Sequence, residues 1–271
     1  MNEIVLKKID SRLAVGIHII AGHIISTGTP LPEAWILDAG CGRGSYTQAL
    51  VKMVGHVDAI EADASLLAEA RGDLARYERA GRLSLHEGNP VELPFEEGQF
   101  DAVVVNQVLC HLENGVAGHP MHRRALAEYF RVLRPGGVVI VNVSTHRQLR
   151  EGFWFHPFIP GAVEVATRKS MSASALESLL ADIGYEFDGR TVPLDLTLRE
   201  DGYREAASVL DPVARRGASI WRFATEAETH DAVRTVQTLE EEGRLADFIA
   251  ERERARRQVG QFTFFVGRKP A

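Results

Sequence analysis

The stretch WILDAGCGRG, residues 35–44, decides the fold class of this chain. Its apolar start is typical of a buried strand in a parallel sheet. Gly40, Gly42 and Gly44 then remove Cβ atoms where the backbone must turn sharply and approach a ligand closely. Apolar residues recur at helical spacing over 45–54, so we expect a helix directly after the turn. A strand, a glycine-rich turn and a helix in this order predict the nucleotide-binding corner of a doubly wound sheet.

Two carboxylates next to this turn narrow the class of nucleotide. A dinucleotide site places a pyrophosphate at the turn, where Asp38 would repel it. A ligand with a positive amino group and no phosphate is attracted instead, and S-adenosylmethionine (SAM) is such a ligand. Glu61 follows Gly44 by 17 residues, where doubly wound folds place an acid that binds the ribose hydroxyls. The competing interpretation is that Glu61 caps the next helix, but Asp63 is better placed for that.

Short apolar runs and helical periods alternate along the chain after residue 30. The predicted strands are 35–39, 56–61, 83–87, 100–105, 138–143 and a final one at 261–267, and the predicted helices are 45–54, 64–80, 120–133 and 172–183, with an extended stretch at 185–198. Strands interleaved with helices imply a parallel sheet with right-handed crossovers.

Three further regions surround this alternation. Residues 1–30 favour one or two helices, a candidate cap, ahead of a cofactor-binding domain at 31–271. Residues 146–170 are rich in aromatic residues, Pro and Gly without a clean period, whereas 200–257 is mostly helical. Additions to such a core usually determine substrate specificity. We therefore interpret 146–170 and 200–257 as candidate lid or substrate insertions; the alternative is that their aromatic residues only pack the extension onto the sheet.

Four motifs follow one another in order along the chain. They are DAGCGRG at 38–44, IEAD at 60–63, GNPVELPF at 88–95 together with Phe100-Asp101, and RVLRPGG at 131–137. As a set they resemble the class I SAM-dependent methyltransferases of the ubiquinone-biosynthesis-like type, and the tail also resembles the family's terminal strand. The resemblance implies an α/β Rossmann-like fold: a doubly wound seven-stranded sheet with its last strand antiparallel, N-terminal helices and a helical extension.

The same resemblance implies which residues hold SAM. The acidic turn binds its amino-acid end, Glu61 its ribose, and the segment after strand three its adenine, while residues after strand four border the methionine part and the substrate. The implied set is Asp38, Gly40, Cys41, Gly42, Gly44, Glu61, Ala62, Asn89, Pro90, Asn106 and Gln107. Asn89 departs from the family, in which an aspartate is common, but its amide oxygen still accepts a hydrogen bond. Gln107 equally fits a cap of the next helix.

Methyl transfer from a sulfonium depends mainly on alignment, and a general base is needed only for weakly acidic or protonated acceptors. The candidate bases are His111, after strand four, and His146, after strand five; His111 fits a structural or SAM-lining role better, and His156 is a weaker candidate. We expect in-line SN2 transfer to a small-molecule acceptor, natural-product or quinone-like. The alternatives are other chemistry with bound SAM, or a non-catalytic partner subunit.

The composition argues against several other classes of function and partner. The 271 residues include 37 acidic and 31 basic side chains, a net charge of −6, which argues against a nucleic-acid partner. Two cysteines and scattered histidines give no metal-ligand spacing. No apolar run reaches the roughly 18 residues of a membrane span, and the first residues lack signal-peptide features. We therefore expect a cytoplasmic protein with no membrane partner, with a homodimer as one option.

Overall fold

The computed structural model describes residues 15–112, 118–198 and 202–271. These residues form two compact units. The first unit comprises the described residues up to Val143, together with Ser174–Thr191 and Phe264–Ala271, and the second comprises Ser144–Ala173 and the described part of Val192–Thr263. The predicted insertions at 146–170 and 200–257 fall in the second unit.

A seven-stranded sheet forms the first unit, with the strand order β3-β2-β1-β4-β5-β7-β6. The strands are β1 Trp35–Ala39, β2 His56–Glu61, β3 Leu83–Glu87, β4 Phe100–Asn106, β5 Leu133–Val143, β6 Glu186–Thr191 and β7 Thr263–Arg268. Strands β1 to β5 pair in parallel, and β6 pairs antiparallel with β7. The predicted doubly wound fold is confirmed. Its strand order reverses between β1 and β4, so the ligand crevice is expected at the carboxyl ends of these two strands.

Helices connect the strands and also build the second unit. The described α-helices are α1 Ile17–Ile25, α2 Ser45–Leu50, α3 Ala64–Arg79, α4 Leu109–Leu112, α5 Pro120–Val132, α6 His146–Glu151, α7 Pro160–Lys169, α8 Ala173–Ile183, α9 Ala207–Leu210, α10 Pro212–Arg216, α11 Glu226–Glu241 and α12 Leu245–Val259. Helix α3 begins after Asp63, whose Oδ1 accepts hydrogen bonds from the amides of Ser65 and Leu66. Among the described helices, none combines the length and apolarity needed to cross a bilayer.

The core of the sheet accounts for the agreement between predicted and observed strands. Val103, Val104 and Val105 of β4 are fully buried, since a central parallel strand is covered on both faces. Predicted and observed bounds coincide for β1, β2 and β3. Strand β5 instead begins at Leu133, which pairs with Phe100, so the predicted start at residue 138 was wrong, although the pairing register shifts before Val138.

Two other expectations are met only in part by the described residues. The extended stretch expected over 185–198 is a strand only at Glu186–Thr191. Of the N-terminal helices expected before residue 27, α1 is observed, and residues 1–14 lie outside the described residues.

Residues 146–170 of the second unit form two short α-helices and a 3-10 turn, although the sequence shows no clean period there. The side chains of Trp154 and Phe155 are buried in the core of this unit, and Phe155 stacks on Trp221 with ring centroids 5.6 Å apart. Phe153 and Phe158 are only half-buried. The helices here are short and packed through adjacent aromatic rings, which is why no helical period shows in the sequence.

Candidate cofactor site

The glycine-rich turn joins β1 to α2 at the carboxyl edge of the sheet. Gly40, Gly42 and Gly44 have φ of 92°, 55° and 83°, the left-handed region that glycine enters without a Cβ penalty. The amides of Gly40 and Cys41 both donate to the carbonyl oxygen of Ile60, at 2.9 and 3.0 Å. The turn is therefore fastened to the end of the neighbouring strand β2.

The three glycines serve different purposes in this turn. A Cβ on Gly40 would lie 2.5 Å from a methyl group of Val108, and one on Gly44 would lie 2.7 Å from Leu74. A Cβ on Gly42 would meet no atom within 4 Å. Two of the glycines thus permit close packing of the protein on itself, and Gly42 alone faces open space in which a ligand can approach the backbone.

Glu61 binds three backbone amides at the edge of this space. Its Oε2 accepts from the amide of Gly42 at 2.8 Å, and its Oε1 accepts from Ala62 and Asp63 at 2.9 and 3.0 Å. A carboxylate offers about four acceptor positions, so capacity for a ribose hydroxyl remains. Glu61 does not cap α3, because Asp63 does. Glu61 therefore fixes the shape of the turn, a role that the sequence did not indicate.

Asp38 is buried at the end of β1, with only 1% of its surface exposed. Its Oδ2 accepts a hydrogen bond of 2.6 Å from the hydroxyl of Thr47. Burial raises the pKa of Asp38 to about 6; the Thr47 hydrogen bond opposes this shift and the negative charge of Glu61 adds to it. A nearby cation such as an ammonium group would reverse this shift by stabilising the charged form.

The loop after β3 carries Asn89 and Pro90. Asn89 is exposed, and its Oδ1 accepts from the amide of Val91 at 3.1 Å, which leaves one acceptor position on that oxygen. Helix α5 fixes the rest of the loop. Arg131 donates to the carbonyl oxygens of Leu93 and Phe95 at 3.0 and 2.7 Å. The motif at 131–137 thus contributes by holding the loop on which the adenine contact was predicted.

Asn106 and Gln107 end β4 beside a buried asparagine of β5. Asn142 is fully buried; its Nδ2 donates to Oδ1 of Asn106 at 2.6 Å, and its Oδ1 accepts from Nε2 of Gln107 at 3.3 Å. The backbone of Gln107 has φ of 56°, a strained conformation for a residue with a side chain. The Gln107 side chain contacts Asn142 rather than an amide of α4. The Asn106 side chain also opposes the rise in the pKa of Tyr46 that burial causes.

Tyr46 and Cys41 complete the polar and buried groups around the turn. The Tyr46 hydroxyl donates to the carbonyl oxygen of Val15 at 2.8 Å, and burial raises its pKa. The side chain of Cys41 is buried, and burial together with the charge of Asp38 raises the pKa of its thiol. Neither group is therefore ionised near neutral pH, and Cys41 fills space rather than acting as a nucleophile.

The candidate bases belong to different units. His111 is exposed on α4 of the first unit. His146 begins α6 of the second unit, and its Nε2 lies 3.0 Å from the carbonyl oxygen of Ser170. A carbonyl only accepts, so Nε2 carries the proton and Nδ1 is the basic nitrogen of the neutral ring. His156 is buried, donates from Nδ1 to the carbonyl oxygen of Leu149, and has its pKa lowered to about 4 by burial. This residue serves the core of the second unit.

Sequence reasoning missed three residues of the site: Thr47, Tyr46 and Asn142. Asn142 left a signal, since it is the one polar residue in the apolar run 138–143. The hydroxyl groups of Thr47 and Tyr46 in the first turn of α2 left none, because hydroxyl residues are common at helix starts. No cluster of three metal-ligating side chains occurs among the described residues.

The hydrogen-bond acceptors at this edge of the sheet fit SAM. A SAM molecule presents an ammonium, two ribose hydroxyls and an adenine amino group, all of which donate hydrogen bonds. The edge of the sheet offers matching acceptors in Asp38, Glu61 and Asn89, and the space in front of Gly42 admits a ligand to the backbone. A pyrophosphate would instead face two carboxylates.

Comparisons with known proteins agree with this geometry. Residues 37–141 match the family model described as "Methyltransferase domain". A probable S-adenosylmethionine-dependent methyltransferase of Mycolicibacterium smegmatis is 30% identical over 197 residues, which are 73% of this chain and 65% of that protein. The demethylmenaquinone methyltransferase of Lactiplantibacillus plantarum is 34% identical over 111 residues, 40% of this chain and 44% of that protein. The chain thus spans less than two thirds of either relative.

A solved structure shows the same fold over nearly the whole chain. It is that of an Anabaena variabilis protein assigned to the methyltransferases of an antibiotic biosynthesis pathway. The TM-score is 0.74 at 18% identity, and the match covers 95% of this chain and 99% of that one. With the match to the family model, these findings show that residues 37–141 are a methyltransferase domain and that the chain is similar to SAM-dependent methyltransferases.

Proposed function

We propose that the protein transfers the methyl group of SAM to a small-molecule acceptor. The observation that carries the proposal is the pair of acids at the carboxyl edge of the sheet: Asp38 is buried behind the glycine turn, and Glu61 binds the amide of Gly42 within it. Bound SAM supplies a methyl group already activated on a sulfonium. The protein then needs to orient the two reactants rather than to form a covalent intermediate.

The residues of the first unit have separate tasks in this proposal. Asp38 attracts the ammonium group, and Glu61 accepts from the ribose while it holds the turn in shape. Asn106 and Gln107 are both hydrogen-bonded to Asn142. They provide a rigid polar border to the SAM site because each side chain already has a fixed partner. Rigid donors and acceptors cost little reorganisation when reactants are aligned.

A general base is required only if the acceptor loses a proton of ordinary pKa during the reaction. We propose His111 for this task and His146 as the second candidate. The support for His146 is its tautomer, since the hydrogen bond to Ser170 leaves Nδ1 as the basic nitrogen. Replacing either base should lower kcat at neutral pH and be partly compensated at higher pH, whereas a residue that merely lines the SAM site would change the dissociation constant of SAM instead.

We propose an acceptor that is small and partly apolar, natural-product or quinone-like in character. The name of the Lactiplantibacillus plantarum relative and the assignment of the Anabaena variabilis protein support this class. The acidic balance of the chain supports it too, since a net charge of −6 disfavours a polyanionic substrate. The helical additions 146–170 and 200–257 remain our candidates for the part that binds the acceptor. We propose that the protein acts in the cytoplasm, with a homodimer as one option.

The half-buried rings of Phe153 and Phe158 are the residues through which a lid role can be tested. Trp154 and Phe155 are unsuitable because their replacement would disrupt the core of the second unit. If Phe153→Ser and Phe158→Ser variants keep the KM for the acceptor, the lid proposal is wrong. A rise in KM with unchanged SAM affinity supports it.

The direct experiment incubates the protein with methyl-labelled SAM and a panel of acceptors that includes a demethylmenaquinol, simple phenols and small amines. Transfer that disappears in Asp38→Ala and Glu61→Ala supports the proposal. Binding of SAM without transfer to any acceptor favours the alternatives instead: other chemistry with bound SAM, or a non-catalytic subunit whose partner would then be sought.

A further inference from the structure

One cavity of the second unit takes no part in the proposed SAM site. Its volume is about 260 Å³, and its lining residues are Pro212, Arg215, Arg216, Trp221, Arg222 and Thr229. Three short segments supply them: helix α10, the 3-10 turn Ser219–Phe223 and the start of α11. The volume is just below the roughly 300 Å³ at which drug-sized pockets begin, so an occupant is small.

Three arginines give this cavity an uncompensated positive charge. Arg216 and Arg222 are exposed, and Arg215 is half-buried. Arg215 donates to the carbonyl oxygens of Val209 and Leu210. Among residues 15–112, 118–198 and 202–271, no carboxylate lies within ion-pair distance of any of these guanidinium groups, although most other arginines of the second unit pair with one.

Two acidic side chains close in sequence, Asp211 and Glu228, make hydrogen bonds elsewhere. Asp211 caps α10 by accepting from the amide of Val213 at 2.8 Å. Glu228 closes the capping box of α11 with Thr225 and also accepts from the amide of Gly161 at 2.6 Å. Neither of these two carboxylates forms an ion pair with the three arginines of the cavity.

The indole ring of Trp221, which lines the cavity, is the second observation. The residue is 8% exposed, and its Nε1 has no acceptor among the described residues. A buried N–H group without an acceptor costs free energy comparable to a lost hydrogen bond. The indole stacks on Phe155, and the Arg215 guanidinium lies 5.8 Å from its ring centroid. Trp221 thus gives the cavity an apolar wall with the Arg215 guanidinium close to its ring, while its Nε1 is shielded from the cavity.

We infer that this cavity binds a small organic anion, with a carboxylate or phosphate group among the arginines and an apolar body against Pro212 and Trp221. Arginine recognises both groups because its planar fork donates two parallel hydrogen bonds to a pair of oxygens. This binding is independent of methyl transfer and is measured without it.

The test is isothermal titration of the whole chain at low salt with benzoate, phenyl phosphate and inorganic phosphate, and with benzamide as the uncharged analogue of benzoate. We expect saturable binding of benzoate or phenyl phosphate, at least tenfold tighter than benzamide and inorganic phosphate respectively. The two organic arms distinguish a carboxylate ligand from a phosphate ester.

Variants locate the binding. Arg216→Gln/Arg222→Gln removes two exposed charges from the cavity and should weaken binding at least tenfold. Arg234→Gln/Arg244→Gln is the matched control, since both arginines are exposed, pair with Asp231 and Glu242, and lie outside the cavity lining. Absence of saturable binding, equal weakening by the control pair, or equal affinity for benzamide would overturn the inference.

Discussion

Replacing Asp38 by asparagine should make the ligand-free protein more stable while it weakens SAM binding. Burial raises the pKa of Asp38 from 3.8 to about 6, so the folded state holds a proton more tightly than the unfolded state. Ionising such a group above its folded pKa destabilises the fold. Asparagine has nearly the same shape, still accepts the Thr47 hydrogen bond through its amide oxygen, and carries no charge.

The magnitude follows from the size of the pKa shift. A difference of about 2 units at 1.36 kcal/mol per unit means that the ionised Asp38 costs about 3 kcal/mol at pH 8. At pH 5, where the folded state is mostly protonated and the unfolded state mostly ionised, the same relation gives about 1.5 kcal/mol. Below pH 3.8 the group is neutral in both states and the cost disappears. The stability contribution is thus present at acidic pH and lost as the pH rises through about 6.

The assay is urea unfolding of the ligand-free protein and of Asp38→Asn at pH 5 and pH 8, followed by circular dichroism. We expect the variant to gain stability at both values, and about twice as much at pH 8. Asp101→Asn is a control of opposite sign. Although burial raises its pKa, hydrogen bonds from the Trp35 amide, Thr29 and Arg134 hold the pKa of Asp101 below its ordinary value, so that variant should lose stability at pH 8.

Binding of SAM supplies the complementary readout. With the pKa of Asp38 at about 6 in the free protein, the affinity for a cationic ligand should fall about tenfold between pH 8 and pH 5. The Asp38→Asn variant should bind at least tenfold more weakly at pH 8 and show no such pH dependence. A variant that is no more stable than the wild type at pH 8, or whose gain does not shrink in acid, would refute the assignment of a buried charge to this position.

Further predictions concern the turn and the second unit. Gly42→Ala should fold with a loss of about 1–2 kcal/mol of stability, because φ is left-handed there, and should lose SAM affinity. Gly40→Ala should lower the melting temperature much more, because its Cβ would strike Val108. SAM titrations and thermal melts of both variants separate the two effects. Glu61→Ala removes the acceptor of three amides and should cost at least about 2 kcal/mol as well as SAM binding, and unchanged affinity would rule out its ribose role. Trp154→Ala, at a fully buried ring, should cost about 3–5 kcal/mol in urea unfolding, and a smaller loss would show that the core of the second unit is loosely packed.

The central strands could be predicted because their burial requires runs of apolar residues in the sequence. Central parallel strands are covered on both faces, so β1 and β4 are largely apolar runs. The acids at the carboxyl ends of β1 and β2 face the ligand edge by topology alone. The cap of α3 at Asp63 was predictable for the same kind of reason, since a local hydrogen bond fixes it.

Longer-range features could not be derived in this way. The second unit is assembled from two separated parts of the chain, and its helices are held by aromatic rings rather than by a regular apolar stripe. The hydrogen bonds of Glu61 to Gly42 and of Asn142 to Gln107 join residues 19 and 35 positions apart. The register of neighbouring strands brings these pairs together, and no local pattern encodes it.

The central claim is that the acidic glycine turn binds SAM and not a dinucleotide. Isothermal titration of the wild-type protein at pH 8 with SAM, with S-adenosylhomocysteine and with NAD tests it most directly, with Asp38→Ala and Glu61→Ala measured in parallel. The account predicts saturable binding of both sulfur nucleosides, none of NAD, and loss of binding in both variants. Binding of NAD without binding of either sulfur nucleoside would contradict it.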